Sequence, residues 1–320
     1  MDDISRMRTI TIICRVVSAV VLIGLAVWVL TSGVFLRQGT FFSLGAFDNR
    51  PLEVASSQSV SAQGVRAMNI DWTSGRVYVR PWDGSEIQIT EFSSRELAEG
   101  ERLLLSAQGD TVIVAYREGR GPAVQMVPKH LEVLIPRELS GNFESFAVNT
   151  VSARVYVSGI DAASLSAGTV SGRVNLTGVT SERLRVGTTS GRMELNSVSA
   201  EEIDLRSISG RVELTRAQAG RLIVDTTSGR QELHGAFERA SLQSVSGRVE
   251  LTSTILPADL AVGTTSGRVA VTVPYEGAIS LNHSSASGRF NSDIPVIMHA
   301  PDAQFRISTT SGRVEIFALR

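Results

Sequence analysis

Arginine is the side chain whose repetition in this sequence could do chemistry. Ser-Gly-Arg stands at Ser74, Ser171, Ser190, Ser209, Ser228, Ser246, Ser266, Ser287 and Ser311, and Ser152-Ala153-Arg154 is an imperfect further copy. From Ser152 onward the copies recur about every 19 residues. A guanidinium is a permanent cation whose planar fork of N–H donors matches a carboxylate or a phosphate. Arg173, Arg192, Arg211, Arg230, Arg248 and Arg268 form the candidate site, an anion-binding ladder, with Arg154, Arg289 and Arg313 continuing the row. Two unit charges one strand spacing apart repel by roughly 0.9 kcal/mol in bulk water. Glu194, Glu213, Glu232, Glu250 and Glu315 stand two residues after their arginines and offset that repulsion. The row therefore reads in two ways. It is a solvated, self-neutralised ladder, or it is a row of forks for an anionic polymer such as a cell-surface polysaccharide or teichoic acid.

Other chemistry finds little support. His130, His234, His283 and His299 show no metal-ligand spacing. His283 falls at an inward position and reads as a hydrogen-bonded core residue. Asp204 and Asp225 come within one repeat of each other and read as a solvated pair, short of the clustered acids that hydrolysis or metal binding needs. The glycines precede no helix and carry no Gly-Lys-Ser/Thr ending, so they are not phosphate loops. No catalytic, metal or cofactor-binding residue is expected, and the protein reads as a non-enzyme without a cofactor. The net charge of −1 gives no argument for a nucleic-acid partner. Cys14 is the sole cysteine, which excludes a disulfide within one chain.

The elements that must position the ladder follow from the repeat. Six residues before the Ser stand Leu165, Leu184, Ile203 and Leu222; four before it, Ala167, Val186, Leu205 and Val224; two before it, Thr169, Thr188, Ser207 and Thr226. That period of two is a strand with one face buried, and the Ser is expected to continue the buried face. Gly then turns a corner. Val174, Met193, Val212, Gln231 and Val249, then Leu176, Leu195, Leu214, Leu233 and Leu251, mark a second inward strand. Gly159 and Gly178 mark a further bend. A single unit cannot close a core, whereas units stacked in register can. The expected fold is all-β, a parallel β-helix or β-solenoid with coils of about 19 residues. A β-sandwich needs no such period, and propeller units are about twice as long.

Residues 146–320 are the regular solenoid, and 65–145 are expected to be an irregular β-lobe or cap. Met68–Val79 is a full repeat core followed by a long interruption. Glu86–Thr90 and His130–Pro136 read as strands, and Gln108-Gly109-Asp110 reads as a hairpin turn. At the other end the chain stops soon after its last repeat, and two readings stand: an open strand edge, or an edge covered by the inserts near Pro274 and Asp293–Pro301. Residues 16–36 are apolar apart from Ser18, Thr31, Ser32 and glycines, long enough for one transmembrane helix. Arg6, Arg8 and Arg15 precede it, and Arg37 alone follows closely. That asymmetry makes 1–15 a cytoplasmic tail and places the bulk outside the cell membrane. Residues 37–64 then read as a juxtamembrane spacer.

Ile70-Asp71-Trp72-Thr73-Ser74-Gly75-Arg76-Val77-Tyr78-Val79-Arg80-Pro81, then Val133-Leu134-Ile135-Pro136, then serial Thr-x-Ser-Gly units resemble the bacterial putative-adhesin domain family of β-solenoids. The resemblance covers 65–320. It implies a membrane-anchored or secreted envelope protein with an adhesin label and no established enzymatic activity. Family members often carry Asp after the Gly where this chain has Arg, a departure that bears on any surface chemistry the resemblance implies. The function expected is a non-enzymatic adhesin, envelope-binding or scaffold protein. The alternatives are a regulator in an envelope-stress system, a self-assembling scaffold, and a polysaccharide-active β-helix enzyme. The partners expected are the membrane through the N-terminal helix, an anionic envelope polymer or another envelope protein, and a second copy through the solenoid ends.

Overall fold

The computed structural model describes residues 52–117, 129–274, 279–297 and 303–319. The expected tail and membrane helix, 1–36, lie outside them; among the described residues no helix is long and apolar enough to cross a membrane. The chain is all-β and solenoid-like. From β8 (Phe143–Thr150), β9 (Arg154–Ser158), β10 (Asp161–Thr169) and β11 (Arg173–Thr188) it enters β12 (Arg192–Ser253), which passes through successive coils without a break, and then β13 (Asp259–Pro274). Pairing is parallel and in register by repeat: Leu165 opposite Leu184, Val174 opposite Met193, Val249 opposite Val269. Leu184, Ile203, Leu222 and Leu260 stack in one buried row, and Leu176, Leu195, Leu214 and Leu251 in another.

The Ser of each Ser-Gly-Arg does not continue the inward face. Ser171, Ser190, Ser209 and Ser266 are exposed, whereas Gly172 and Gly191 are buried. The inward hydroxyls are those two residues earlier, Thr169, Thr188 and Ser207. The corner explains the shift. The Thr188 hydroxyl turns back to accept the Gly191 N–H at 2.8 Å, and Thr169 does the same for Gly172 at 2.9 Å. The chain is thereby pinned with Gly against the coil below and Ser outside. A Cβ on Gly191 would run into the Gly172 carbonyl oxygen. Space, as well as conformational freedom, selects glycine here. At Gly247 both reasons act, since its φ is +147°. Gln231 replaces the usual Val in the core and is fully buried; its Nε2 donates to Thr226 Oγ1 and to the Gln243 carbonyl, both at 2.8 Å.

The order of coils in space departs from their order in sequence at both ends. β2 (Ala67–Trp72) and β3 (Arg76–Trp82) pair in parallel with β8 and β9, so Ile70 faces Val148 across the expected interruption. The stack is continuous there, and only the chain leaves it. The excursion forms another coil below, from β6 (Thr111–Ala115) and β7 (His130–Pro136), parallel to β2 and β3. Antiparallel strands close this end: β5 (Leu104–Gln108) on β6, β4 (Glu86–Ser93) on β7, and β1 (Glu53–Ser61) on β4. The strands expected at 86–90 and 130–136 and the hairpin at 108–110 are all present. β1 falls within the stretch expected as a spacer.

This cap is held by the sole lysine. Lys129 is 3% exposed and donates to Glu91 Oε1 at 3.0 Å, to the Glu101 carbonyl at 2.5 Å and to the Arg117 carbonyl at 2.8 Å. Its Nζ also lies 4.1 Å from the centre of the Tyr116 ring. Glu91, 0% exposed, accepts the Leu103 N–H at 2.9 Å.

At the other end β16 (Gln304–Leu319) inserts between β13 and β14 (Ile279–Ser292). The last repeat in sequence is therefore an interior coil, and the outermost strand is β14, partnered beyond itself only by the short β15 (Val296–Ile297) among the described residues. Composition favours this order. β16 turns Phe305, Ile307, Val314 and Ile316 inward, all buried, whereas β14 offers Leu281, His283, Ser285 and Phe290. Sandwiching the more apolar repeat buries about 1.5–3 kcal/mol per large side chain. His283 is not the hydrogen-bonded core residue expected. It stacks on Phe290 at 4.9 Å, and its Nε2 has no hydrogen-bond partner among the described residues.

Candidate functional site: the arginine face

Beyond each corner the alternation of the second strand places Arg outward, Val inward, Glu outward and Leu inward. The six candidate arginines share this face. Arg173 stands opposite Arg192 and Arg248 opposite Arg268, so the row is in register at the strand spacing of about 4.8 Å. Ion pairs within the coil join Arg192 to Glu194 (3.2 Å), Arg211 to Glu213 (3.0 Å), Arg230 to Glu232 (2.8 Å) and Arg248 to Glu250 (3.1 Å). Arg173 has Asn175 in the Glu place and leans across to Glu194 at 3.8 Å. Arg268 has Ala270 there and makes no ion pair among the described residues. The pairs are half exposed, so each contributes about 0–1 kcal/mol to stability.

One rung extends the row beyond Arg154, its expected end. Arg76 stands opposite Arg154 and Tyr78 opposite Tyr156. The tyrosines occupy the places of the glutamates, and their rings stack with centroids 4.9 Å apart and 11° between planes. His130 lies beside Arg76, and its pKa is lowered first by burial and then by the Arg76 charge. The alternation used to find the Glu row would also have found this Tyr pair, had the two coils been known to be adjacent.

A different face carries Asp204 and Asp225, and they are not a solvated pair. Asp204 is 7% exposed and accepts two bonds from Arg206, both at 2.9 Å. Asp225 has a raised pKa, chiefly from burial and against the pull of Arg206, with Asp204 adding to the rise. A carboxyl whose pKa is raised on folding loses native stability as pH climbs from the ordinary carboxylate range through the folded value. Asp225→Asn is therefore expected to raise thermal stability at pH 7, by about 0.5–1 kcal/mol. Melting curves should show that gain fading towards pH 3; a constant difference would exclude titration of Asp225 as the cause.

On the third side a groove of about 910 Å³ runs along the stack over Ala162, Ala200 and Ala219, with Glu182, Glu201 and Glu238 at its rim. It presents no nucleophile with an adjacent base. Among the described residues no cluster of His, Cys, Asp or Glu could hold a metal ion.

The profile of the Toastrack DUF4097 family matches residues 65–317. The chain belongs to that family. The Toastrack match begins where the first coil begins and spans both transposed ends. Among solved structures, the chain resembles a putative adhesin from Parabacteroides distasonis at 14% identity, covering 84% of this chain and 98% of that one with a TM-score of 0.52. A putative adhesin from Parabacteroides merdae matches at 12% identity, with coverages of 83% and 97% and a TM-score of 0.51. A Parabacteroides distasonis protein described as a putative lipid binding protein matches at 11%, with the same coverages and TM-score. At such identities the likeness is one of fold. No curated protein matches the sequence.

Proposed function

We propose that this Toastrack protein is a non-enzymatic, adhesin-like envelope protein, anchored in the cell membrane by 16–36, whose arginine face contacts an anionic envelope polymer. The single observation that carries the reading is the exposed row of guanidinium groups in register, one per coil. Each has five donors, and in Arg192, Arg211, Arg230 and Arg248 one Nη1 bond to a Glu is found among the described residues. These side chains keep 39–41% of their surface exposed and recur once per coil, which suits a charged chain lying along the stack. The adhesin descriptions of two fold relatives agree with it. The anchor is supported by the apolar length of 16–36 and the arginines before it.

Replacing Arg192, Arg211 and Arg230 together by Gln should weaken binding of the full chain to long polygalacturonate about tenfold, and should flatten its dependence on salt. Binding that is unchanged and insensitive to salt would overturn the reading.

A further inference from the structure

The arginine face is not uniform, and at its first two rungs a ring stands beside each guanidinium. Elsewhere Arg192, Arg211, Arg230, Arg248 and Arg313 have a Glu in that place, whereas Arg268 has Ala270 and Arg289 has Asn291. At Arg76 and Arg154 that place is taken by Tyr78 and Tyr156. Both arginines are exposed, and neither makes an ion pair among the described residues. The nearby carboxylates are drawn elsewhere. Glu132, opposite Tyr78, is held by Arg80 at 3.0 Å. Glu194, two coils from Tyr156, is held by Arg192, and the Asn175 amide donates to it at 3.0 Å. Asn175, on the coil next to Tyr156, thus leans away from the tyrosine ring. His130 adds no negative charge. Among the described residues, the two rungs therefore combine positive charge that no carboxylate pairs with a stacked pair of half-buried rings.

We infer that Arg76, Arg154, Tyr78 and Tyr156 form a binding site for an acidic sugar, a pyranose ring bearing a carboxylate. An aromatic ring offers an apolar surface to the C–H groups of a sugar and a hydroxyl to its polar rim. A guanidinium with no carboxylate of its own takes an incoming one as a two-pronged partner without first breaking an ion pair. A polyol phosphate has charge but no ring, and would leave the tyrosines unused. The inference rests on the proposed anion-binding role of the arginine face and deepens it, by naming the rungs that recognise the ligand and the class of ligand recognised. The remaining rungs, whose place two residues on holds no ring, then guide a longer chain rather than select it.

The test uses the full chain in detergent and three short probes: trigalacturonate, its neutral counterpart galactotriose, and a glycerol phosphate trimer. Calorimetry should detect trigalacturonate in preference to both others. Arg76→Gln/Arg154→Gln should lose at least tenfold in affinity for it, while Arg183→Gln/Arg221→Gln, exposed arginines on the strand before the corner, changes the same affinity less than twofold. Tyr156→Leu should lose about as much, and Tyr156→Phe should keep most of the binding. Both arginines are exposed, so their variant reports even where the Leu variant fails to fold. Trigalacturonate binding untouched by Arg76→Gln/Arg154→Gln but weakened by Arg211→Gln/Arg230→Gln would overturn this inference and leave the proposed function standing. A preference for glycerol phosphate would overturn the sugar. Failure to bind trigalacturonate would overturn the site, and failure to bind long polygalacturonate as well would overturn both readings.

Discussion

Lys129→Met is expected to destabilise the capped end by about 3–5 kcal/mol. The substitution keeps the length of the side chain and removes its charge. Glu91, 0% exposed, is left as a buried carboxylate without its counter-ion, and the carbonyls of Glu101 and Arg117 lose their donor. The cost lies in what is stranded more than in what the ion pair contributed. A second substitution, Glu91→Leu, should therefore recover a good part of the loss, because an apolar pair of similar volume replaces a charged one. Recovery stops short of complete, since the two carbonyls remain without the lysine. Trp72, whose indole N–H donates to the Lys129 carbonyl at 3.0 Å, is a reporter beside the site. Its fluorescence in a urea titration should move to lower denaturant in the single variant and partly return in the double one. A single variant within 1 kcal/mol of the parent would show that the pair does not hold the cap.

Gly191→Ala should be nearly as damaging, at about 3 kcal/mol, although one methyl group is all that is added. The new Cβ would lie against the Gly172 carbonyl oxygen, which belongs to the backbone of the next coil and cannot swing aside. The two coils must part at the corner, weakening the parallel bonds on either side. Gly187→Ala is the matched control. Nothing lies within 4 Å of a Cβ there, so the change should fall within about 0.5 kcal/mol of the parent. Equal melting temperatures for the two variants would remove close packing as the reason for glycine in Ser-Gly-Arg.

Much of the coil was legible in the sequence, and the errors are informative. The period of two identified both strands and their inward rows, because burial of one face of a strand forces that alternation. The pattern failed at the Ser, where it was extended one residue too far. A side-chain hydroxyl bonding to the backbone three residues on ends the strand geometry early, and alternation carries no mark of that bond. The arginine row was legible for the same reason as the strands, and its pairing with Glu followed from the spacing of two. Its Tyr rungs were not, since they arise between Tyr78 and Tyr156, far apart in sequence. Nothing in the sequence around Lys129, the sole lysine, marks it as buried. A buried cation is recognised by what surrounds it, here Glu91, Tyr116 and two carbonyls from separate segments.

The repeat by itself determined that this is a stacked, all-β chain with Arg outward at each coil, because every unit carries the same half-buried pattern and pairs best with its own kind. For that same reason it left the order of the coils open. Any unit accepts any other in register, so nothing local told β16 to enter between β13 and β14, or β2 and β3 to lie inside β6 and β7. Tertiary structure decided both, by burying the more apolar repeat at the far end and by closing the near end around Lys129. It also decided that the rungs of Tyr78 and Tyr156 adjoin, so that their rings stack.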